Sequence, residues 1–118
     1  MRYILLIYAD QTMWNTMSEA DQHAGLQEYE KYSTWLGEKG WMRAGDQLAD
    51  TDQATTVREA EGKILATDGP FAETKEQLGG YHVVECSDID EAIAIAQRIP
   101  SLRCGGTVEV RPLDHATA

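Results

Sequence analysis

Tyr3-Ile4-Leu5-Leu6-Ile7-Tyr8 is the stretch that decides the fold of this 118-residue chain. Its residues are β-branched, aromatic or aliphatic at odd and even positions alike. Such a pattern predicts a strand that is covered on both faces of its sheet. Helices of the same chain can cover one face, and the simplest cover for the other is the sheet of a second subunit across a two-fold axis. The strand therefore predicts a homodimer.

Two helices are predicted to cover the first face. One begins near Ser18, because Ser18-Glu19-Ala20-Asp21 has the spacing of a helix start, and Gly37 and Gly40 end it. The other begins after Asp88, with Glu91 three residues later, and Pro100 stops it. The stripe predicted for the first helix is Gln22, Leu26, Tyr29, Tyr32, Ser33 and Leu36. The stripe predicted for the second is Ile89, Ala92, Ile93, Ala96 and Ile99.

The rest of the chain supplies further strands. Residues 10–17 are polar and irregular, which favours a loop, and Ala60-Glu61-Gly62 favours a hairpin turn. The further strands are predicted at residues 41–50 (an irregular one), 55–58, 63–67, 81–86 and 107–111. The order strand, helix, strand, hairpin, strand, helix, strand belongs to the α+β class. It predicts a ferredoxin-like βαββαβ fold with an extra β-hairpin, in a single domain spanning 1–118 whose residues 113–118 form a polar tail.

Charge and cysteine content exclude several classes of protein. Ten Lys and Arg against twenty Asp and Glu give a net charge of −10, which disfavours nucleic acid and acidic membranes as partners. The apolar stretch at residues 3–9 is too short for a membrane helix or a signal peptide, so a cytoplasmic location is expected. Cys86 and Cys104 lack metal-ligand spacing, and they are predicted to lie at opposite ends of the sheet. We therefore expect free thiols and no metal site.

The densest polar cluster is Thr67-Asp68-Gly69-Pro70-Phe71-Ala72-Glu73-Thr74-Lys75-Glu76. One interpretation is chemical: Asp68, Glu73 or Glu76 acts as an acid or base, and Lys75 binds an anion. The other is structural, because Asp, Gly and Pro in succession are typical of a turn. In that case Phe71, the only Phe in the chain, anchors the loop to the core.

Three histidines could transfer protons near neutral pH, and each also has a structural interpretation. His23 lies off the apolar face of the first helix, which is typical of a surface residue. His82 lies in a strand and fits a core or interface position. His115 lies in the tail. Tyr29, Tyr32 and Trp35 of the first helix could line a ligand pocket. The alternative is that Tyr29 and Tyr32 belong to the core and that Trp35, which is off the stripe, marks a contact surface.

The nine residues Asp68-Gly69-Pro70-Phe71-Ala72-Glu73-Thr74-Lys75-Glu76 resemble the signature of the DGPF branch of the YCII-related proteins. The resemblance spans nearly the whole chain and extends to residues 1–8, 54–58, 78–81, 88–92 and 108–112. It implies ferredoxin-like protomers paired into a dimeric α/β-barrel.

The resemblance also implies candidate site residues. Relatives are proposed to use a His–Asp pair in a cleft between sheet and helix. Asp68 matches the acidic partner, and His23 is the nearest candidate for the histidine. A small-molecule ligand is expected to meet Arg58, Glu73, Lys75, Glu76, Tyr81 and His82.

Two functions follow from the resemblance, and the sequence leaves both open. In the first, the cleft carries out acid–base chemistry of the elimination or isomerisation type on a small polar molecule, with no metal and no cofactor. In the second, the protein is a regulatory or sensory partner of an extracytoplasmic-function sigma factor, because some DGPF proteins accompany such factors or are fused to them.

Overall fold

The structure, a computed structural model, describes residues 1–113. Residues 114–118, which include His115 and most of the predicted polar tail, lie outside the described part. In chain order the elements are β1 (Arg2–Ala9), α1 (Gln11–Asn15), α2 (Glu19–Glu38), β2 (Met42–Gln47), β3 (Thr55–Ala60), β4 (Lys63–Asp68), β5 (Gln77–Glu85), α3 (Ile89–Ala96) and β6 (Thr107–Pro112). Two 3₁₀ turns span Thr51–Gln53 and Pro100–Cys104.

Four strands form one antiparallel sheet in the order β2-β5-β1-β6. β1 lies at its centre, between β5 and β6, and the helices follow β1 and β5 in the chain. This strand order is that of a ferredoxin-like sheet, so the predicted α+β class and fold are confirmed. β2 is irregular, as predicted, because its pairing with β5 shifts register between Met42 and Ala44.

The two faces of β1 differ in what covers them. Its alternate residues Tyr3, Leu5 and Ile7 are buried in one core with the helices. The intervening residues Ile4, Leu6 and Tyr8 lie on the opposite face, outside that core, and are only partly covered. The sheet therefore has an inner face under the helices and an outer face, which we define by Ile4, Leu6, Tyr8, Tyr81 and Val83.

Helix α2 contacts the sheet only through its second half. The Ser18 hydroxyl caps it as predicted, by accepting a hydrogen bond from the Asp21 backbone N–H at 3.1 Å. Tyr32 and Leu36 are buried, whereas Leu26, on the same predicted stripe, is 57% exposed. The first half of α2 extends beyond the core, so Leu26 lies mostly in solvent there.

Helix α3 begins where the sequence predicts. The Asp88 carboxylate accepts a hydrogen bond from the Glu91 N–H, and the Glu91 carboxylate accepts one from the Ser87 N–H, both at 2.9 Å. The predicted stripe is only partly correct: the buried residues are Ala92, Ile95, Ala96 and Ile99, while Ile89 and Ile93 are exposed. The helix has eight residues, and a slight rotation of so short an element moves the stripe by one position.

The extra hairpin forms as predicted and stands apart from the core. β3 and β4 pair only with each other, and Glu61 and Gly62 both take positive φ (51° and 77°), the geometry of a two-residue hairpin turn. Every side chain of β4 is exposed. The radius of gyration is 16.3 Å, whereas a compact chain of this length has about 13–14 Å.

Two local predictions are wrong. Phe71 is 75% exposed and does not anchor its loop, because the projecting hairpin leaves no core beside it. The segment at residues 10–17 is not all loop. It contains the short helix α1, which Asp10 caps by accepting a hydrogen bond from the Thr12 N–H at 2.9 Å.

Cys86 and Cys104 are free, as predicted. None of the helices within residues 1–113 is long and apolar enough to cross a membrane.

Leu5→Ala should lower the free energy of unfolding by about 2–5 kcal/mol, because it leaves a cavity at the centre of the inner face, where Leu5 is 0% exposed. Leu26→Ala is the matched control and should cost less than about 1 kcal/mol, since that side chain lies mostly in solvent. Urea unfolding monitored by circular dichroism measures both. Equal losses would contradict the assignment of the core to the second half of α2.

Candidate functional site

Tyr32 of α2 and His82 of β5 meet on the inner face of the sheet. The Tyr32 hydroxyl lies 3.1 Å from His82 Nδ1, and the two rings stack with centroids 5.4 Å apart at an interplanar angle of 22°. Gly45, which pairs with His82 across β2 and β5, makes room for the imidazole. A Cβ atom at residue 45 would lie 2.7 Å from His82 Cδ2, closer than real contacts allow. A residue larger than Gly at position 45 would therefore exclude the His82 imidazole from this position.

Both side chains of this pair are neutral near pH 7, and burial favours the neutral form of each. It lowers the pKa of His82 below its usual 6.5, because the imidazolium form loses hydration. It also raises the pKa of the Tyr32 hydroxyl well above its usual value, with the nearby Tyr29 adding to the shift. Within residues 1–113, the second ring nitrogen of His82, Nε2, has no hydrogen-bond partner. A neutral imidazole that has one nitrogen in a hydrogen bond and no partner on the other can take up or release a proton.

Aromatic rings fix Tyr32 in place. Tyr29 contacts it edge to face with centroids 6.0 Å apart, and the centroid of the Trp35 ring lies 6.1 Å away. Trp35 in turn contacts Trp41 edge to face at 5.6 Å. Such contacts stabilise particular ring orientations.

A groove opens beside Tyr32, between α2 and the segment that follows α3. We call it the Tyr32 groove. Its volume is about 270 Å³, and it is lined by Glu28, Lys31, Tyr32, Gln97, Arg98, Pro100 and Arg103. Tyr32 therefore belongs to both features, because its side chain lines the groove and its hydroxyl meets His82.

A larger depression of about 570 Å³ runs along the outer surface of α2. It is open to solvent, and its lining holds no histidine: Gln27, Glu30, Lys31, Thr34, Trp35 and Glu38. The Tyr32 groove is the better candidate site, because it alone of the two adjoins a perturbed titratable pair. The described residues include no group of three or more His, Cys, Asp or Glu side chains placed to hold a metal ion.

The proposed partners His23 and Asp68 are both exposed. His23 lies on the first half of α2, beyond the core, and Asp68 ends β4 on the projecting hairpin. Among residues 1–113, neither side chain makes a hydrogen bond or an ion pair with the other. Nothing in the described part of a single chain joins the two into a pair.

The six predicted ligand-binding residues occupy different surfaces. Arg58 donates a hydrogen bond to the Phe71 carbonyl at 2.9 Å, and Glu76 Oε1 accepts one from the Thr107 hydroxyl at 3.1 Å. Tyr81 faces outward with Leu6, whereas the next residue, His82, faces the helices. Glu73 and Lys75 are exposed in the loop after the hairpin. Within one chain, His82 alone of the six contacts Tyr32.

The signature segment is well explained as a turn. Gly69 takes a φ of 99°, a left-handed value that favours glycine. Its N–H donates to the Ala54 carbonyl at 2.7 Å, and its carbonyl accepts a hydrogen bond from the Thr56 hydroxyl at 2.7 Å. These bonds tie the end of the hairpin to Ala54, just before β3, and to Thr56 within β3.

The basic side chains of the groove could not be found from the sequence. Lys31, Arg98 and Arg103 are isolated from other basic residues along the chain, and only the packing of α2 against residues 97–103 brings them to one groove. The sequence did single out Tyr32 as a possible pocket residue and His82 as a possible ligand contact. Their pairing depends on the register of β5, which local patterns do not determine.

The fold defines this chain as a ferredoxin-like α+β domain with a candidate groove between α2 and the segment that follows α3. The sequence model of the YCII-related domain matches residues 1–115. An uncharacterized protein of Rhizobium meliloti (strain 1021) is 32% identical over 114 residues, which cover 96% of this chain and 92% of the relative. The chain belongs to the YCII-related family, which confirms the resemblance seen in the sequence.

The lowered pKa of His82 predicts a pH dependence of stability. The unfolded chain binds the proton more readily than the folded one, so the free energy of unfolding should fall as the pH drops below 6.5. The loss should stop growing once the pH is below the pKa of His82 in the folded protein. His82→Asn should remove this component, and urea unfolding between pH 5 and 8 measures it. The same pH slope in the variant would contradict the assignment.

Asp68→Asn should change the free energy of unfolding by no more than about 0.5 kcal/mol, because the carboxylate is exposed and accepts no hydrogen bond within residues 1–113. Arg58→Ala is the informative comparison: it removes the hydrogen bond to the Phe71 carbonyl and should loosen the signature loop. Amide hydrogen exchange of residues 69–75 should speed up in Arg58→Ala and stay unchanged in Asp68→Asn. Faster exchange in Asp68→Asn would give the carboxylate a role in the turn.

Proposed function

We propose that this chain is a cytoplasmic, homodimeric protein that binds a small polar organic molecule in the Tyr32 groove. His82 then moves a proton on that molecule, in chemistry of the elimination or isomerisation type. The observation that supports this function is the double role of Tyr32, which lines the groove and whose hydroxyl lies 3.1 Å from Nδ1 of the partly buried His82. This assignment gives the proton transfer to His82, where the sequence proposed His23 with Asp68.

The chemistry follows from the neutral state of the pair. With its proton on Nδ1, His82 donates to the Tyr32 oxygen, and Nε2 is a free base. A C–H bond of the bound molecule then breaks, its proton goes to Nε2, and its electron pair moves into the neighbouring carbonyl as an enolate. In a molecule that also has a β,γ double bond the enolate is a dienolate, and the imidazolium returns the proton to its γ carbon. The double bond then lies between the α and β carbons, the carbonyl is restored, and the isomerisation is complete. The Tyr32 hydroxyl keeps its own proton, because burial raises its pKa, and can donate it in a hydrogen bond to the enolate oxygen.

A lowered histidine pKa suits this role. A general base works best when its pKa lies near or just below the working pH, so that its neutral form is fully populated. Burial provides that state for His82 without a neighbouring charge. The same burial raises the cost of holding a positive imidazolium, which favours the rapid return of the proton.

The homodimer proposal rests on the outer face of the sheet. Leu6, Tyr81 and Val83 are neighbours on this face, partly exposed and outside the core of their own chain. A second copy that packs its own outer face here would bury the apolar side chains of both, as a two-fold interface requires. Such a pair of face-to-face sheets is the dimeric α/β-barrel that the family resemblance implies.

One observation favours the alternative function, a contact with a sigma factor. Val57, Ile64 and Phe71 are exposed on the projecting hairpin and its following loop, and apolar side chains grouped on an exposed arm are typical of a protein-binding surface. The net charge of −10 suits a basic partner. Binding of a purified extracytoplasmic-function sigma factor, lost in Val57→Ser/Ile64→Ser and kept in His82→Asn, would favour this function.

The acid–base proposal is tested by hydrogen exchange into the bound molecule. The protein should catalyse the loss of C–H proton signals when small keto acids and unsaturated lactones are incubated with it in D₂O. His82→Asn should slow this exchange at least about 100-fold, because Asn preserves a polar atom near Tyr32 but offers no base at the Nε2 position. Proton NMR follows the exchange.

The same assay separates the two candidate centres. Asp68→Asn and His23→Gln both remove a group of the sequence-derived pair. If either abolished exchange while His82→Asn stayed active, the chemistry would belong to that pair. Exchange that no probe undergoes above the buffer rate would count against acid–base function altogether.

A further inference from the structure

We infer that the Tyr32 groove recognises its ligand through an oxyanion group, a carboxylate or a phosphate, which Arg98 and Arg103 hold. This inference rests on the proposed function, since it names the chemical class of the molecule that Tyr32 and His82 would meet. It assigns the two arginines a binding role that neither the sequence pattern nor the family match indicates.

The first argument is the distribution of charge. The chain carries a net charge of −10 and only ten basic residues, yet three of them line this one groove. The single acidic residue of the lining, Glu28, lies 3.6 Å from Lys31 in an exposed ion pair. The groove is therefore a local positive region on an acidic protein, and such a region attracts small anions.

The second argument is that both guanidinium groups lack an acidic partner. Twenty carboxylate side chains are present in the sequence, but among residues 1–113 neither Arg98 nor Arg103 lies within 4.0 Å of one. By contrast, Arg43 and Arg111 both pair with glutamates on neighbouring or nearby positions. The planar forks of Arg98 and Arg103 are thus available for two-point binding of an oxyanion.

The third argument is that the fold restrains the Arg98 guanidinium and the backbone that carries Arg103. The Arg98 guanidinium lies 4.1 Å from the ring centroid of Trp35, a cation–π contact that occupies its face and leaves its N–H edges free. Arg103 lies in the 3₁₀ turn Pro100–Cys104, which Gly105 closes in a left-handed conformation at a φ of 82°. A backbone bond from the Gly106 N–H to the Ser101 carbonyl, 2.9 Å long, secures that turn. Restrained donors lose less entropy on binding than mobile ones.

The groove also limits what else the ligand can be. Its volume of about 270 Å³ lies just below the range of about 300–1,000 Å³ typical of drug-sized ligands, so the ligand is small. Tyr32 and Pro100 supply apolar surface, and Gln97 supplies an amide. An oxyanion held by the arginines would place the body of a small molecule against Tyr32, which contacts His82.

The test uses three probes and needs no turnover. Benzoate and inorganic phosphate should each shift the indole N–H signal of Trp35 in NMR titrations, while benzamide, the neutral isostere of benzoate, should not. Binding should weaken as salt concentration rises. Benzoate without phosphate would identify a carboxylate ligand, and phosphate without benzoate a phosphorylated one. No shift with either anion would overturn the inference.

Substitutions of the two arginines test whether the anions bind in the Tyr32 groove. Arg98→Gln and Arg103→Gln should each weaken anion binding about tenfold or more, as expected when a charge-assisted hydrogen bond is lost. Arg43→Gln removes an equal charge from β2, outside the groove, and should leave binding unchanged. An equal loss in Arg43→Gln would show a general charge effect and contradict the site. Thermal unfolding of each variant confirms that it is folded.

The anion site and the acid–base function can fail separately. His82→Asn should still bind benzoate, because the arginines remain. Anion binding without proton exchange on any probe would leave the anion site standing and reject the acid–base function. Exchange that is unaffected by Arg98→Gln and Arg103→Gln would reject the anion site and leave the acid–base function standing.

Discussion

The burial of β1 at the centre of the sheet is the constraint on which the rest of the structure depends. Leu5 is completely removed from solvent on its inner side, and the helices take their positions from covering that side. Because side chains alternate along a strand, the residues between the buried ones must face outward. In β1 these residues are also apolar, so the sheet that organises the core presents a second apolar surface. One chain supplies helices for one surface only.

The candidate site is a consequence of how α2 covers that sheet. Only the second half of the helix packs, and Tyr32 is where it contacts β5. Burial at this contact shifts the pKa values of Tyr32 and His82 in opposite directions and leaves both neutral. The same packing brings α2 close to the turn after α3, and the Tyr32 groove forms between them. Core packing, the proposed proton chemistry and the positive groove therefore share a single side chain.

Sequence patterns correctly predicted the structural features that a few adjacent residues determine. The cap at Ser18, the cap at Asp88 and the hairpin turn were predicted correctly, because each depends on a few adjacent residues. Phe71 was assigned wrongly, since apolar character predicts burial only where a second layer exists. The groove was not predicted at all: Arg98 and its neighbours there come from segments that are distant in the sequence. Long-range packing brings them together, and no single sequence pattern records it.

The central claim is that the outer face of the sheet is covered by a second copy of this chain. Static light scattering on the native protein at micromolar concentration tests it most directly. The account predicts a mass twice the 13.1 kDa of one chain, and a fall to the single-chain mass in Leu6→Asp, where a charge would be buried in the interface. A native mass of 13.1 kDa at every concentration would contradict the claim.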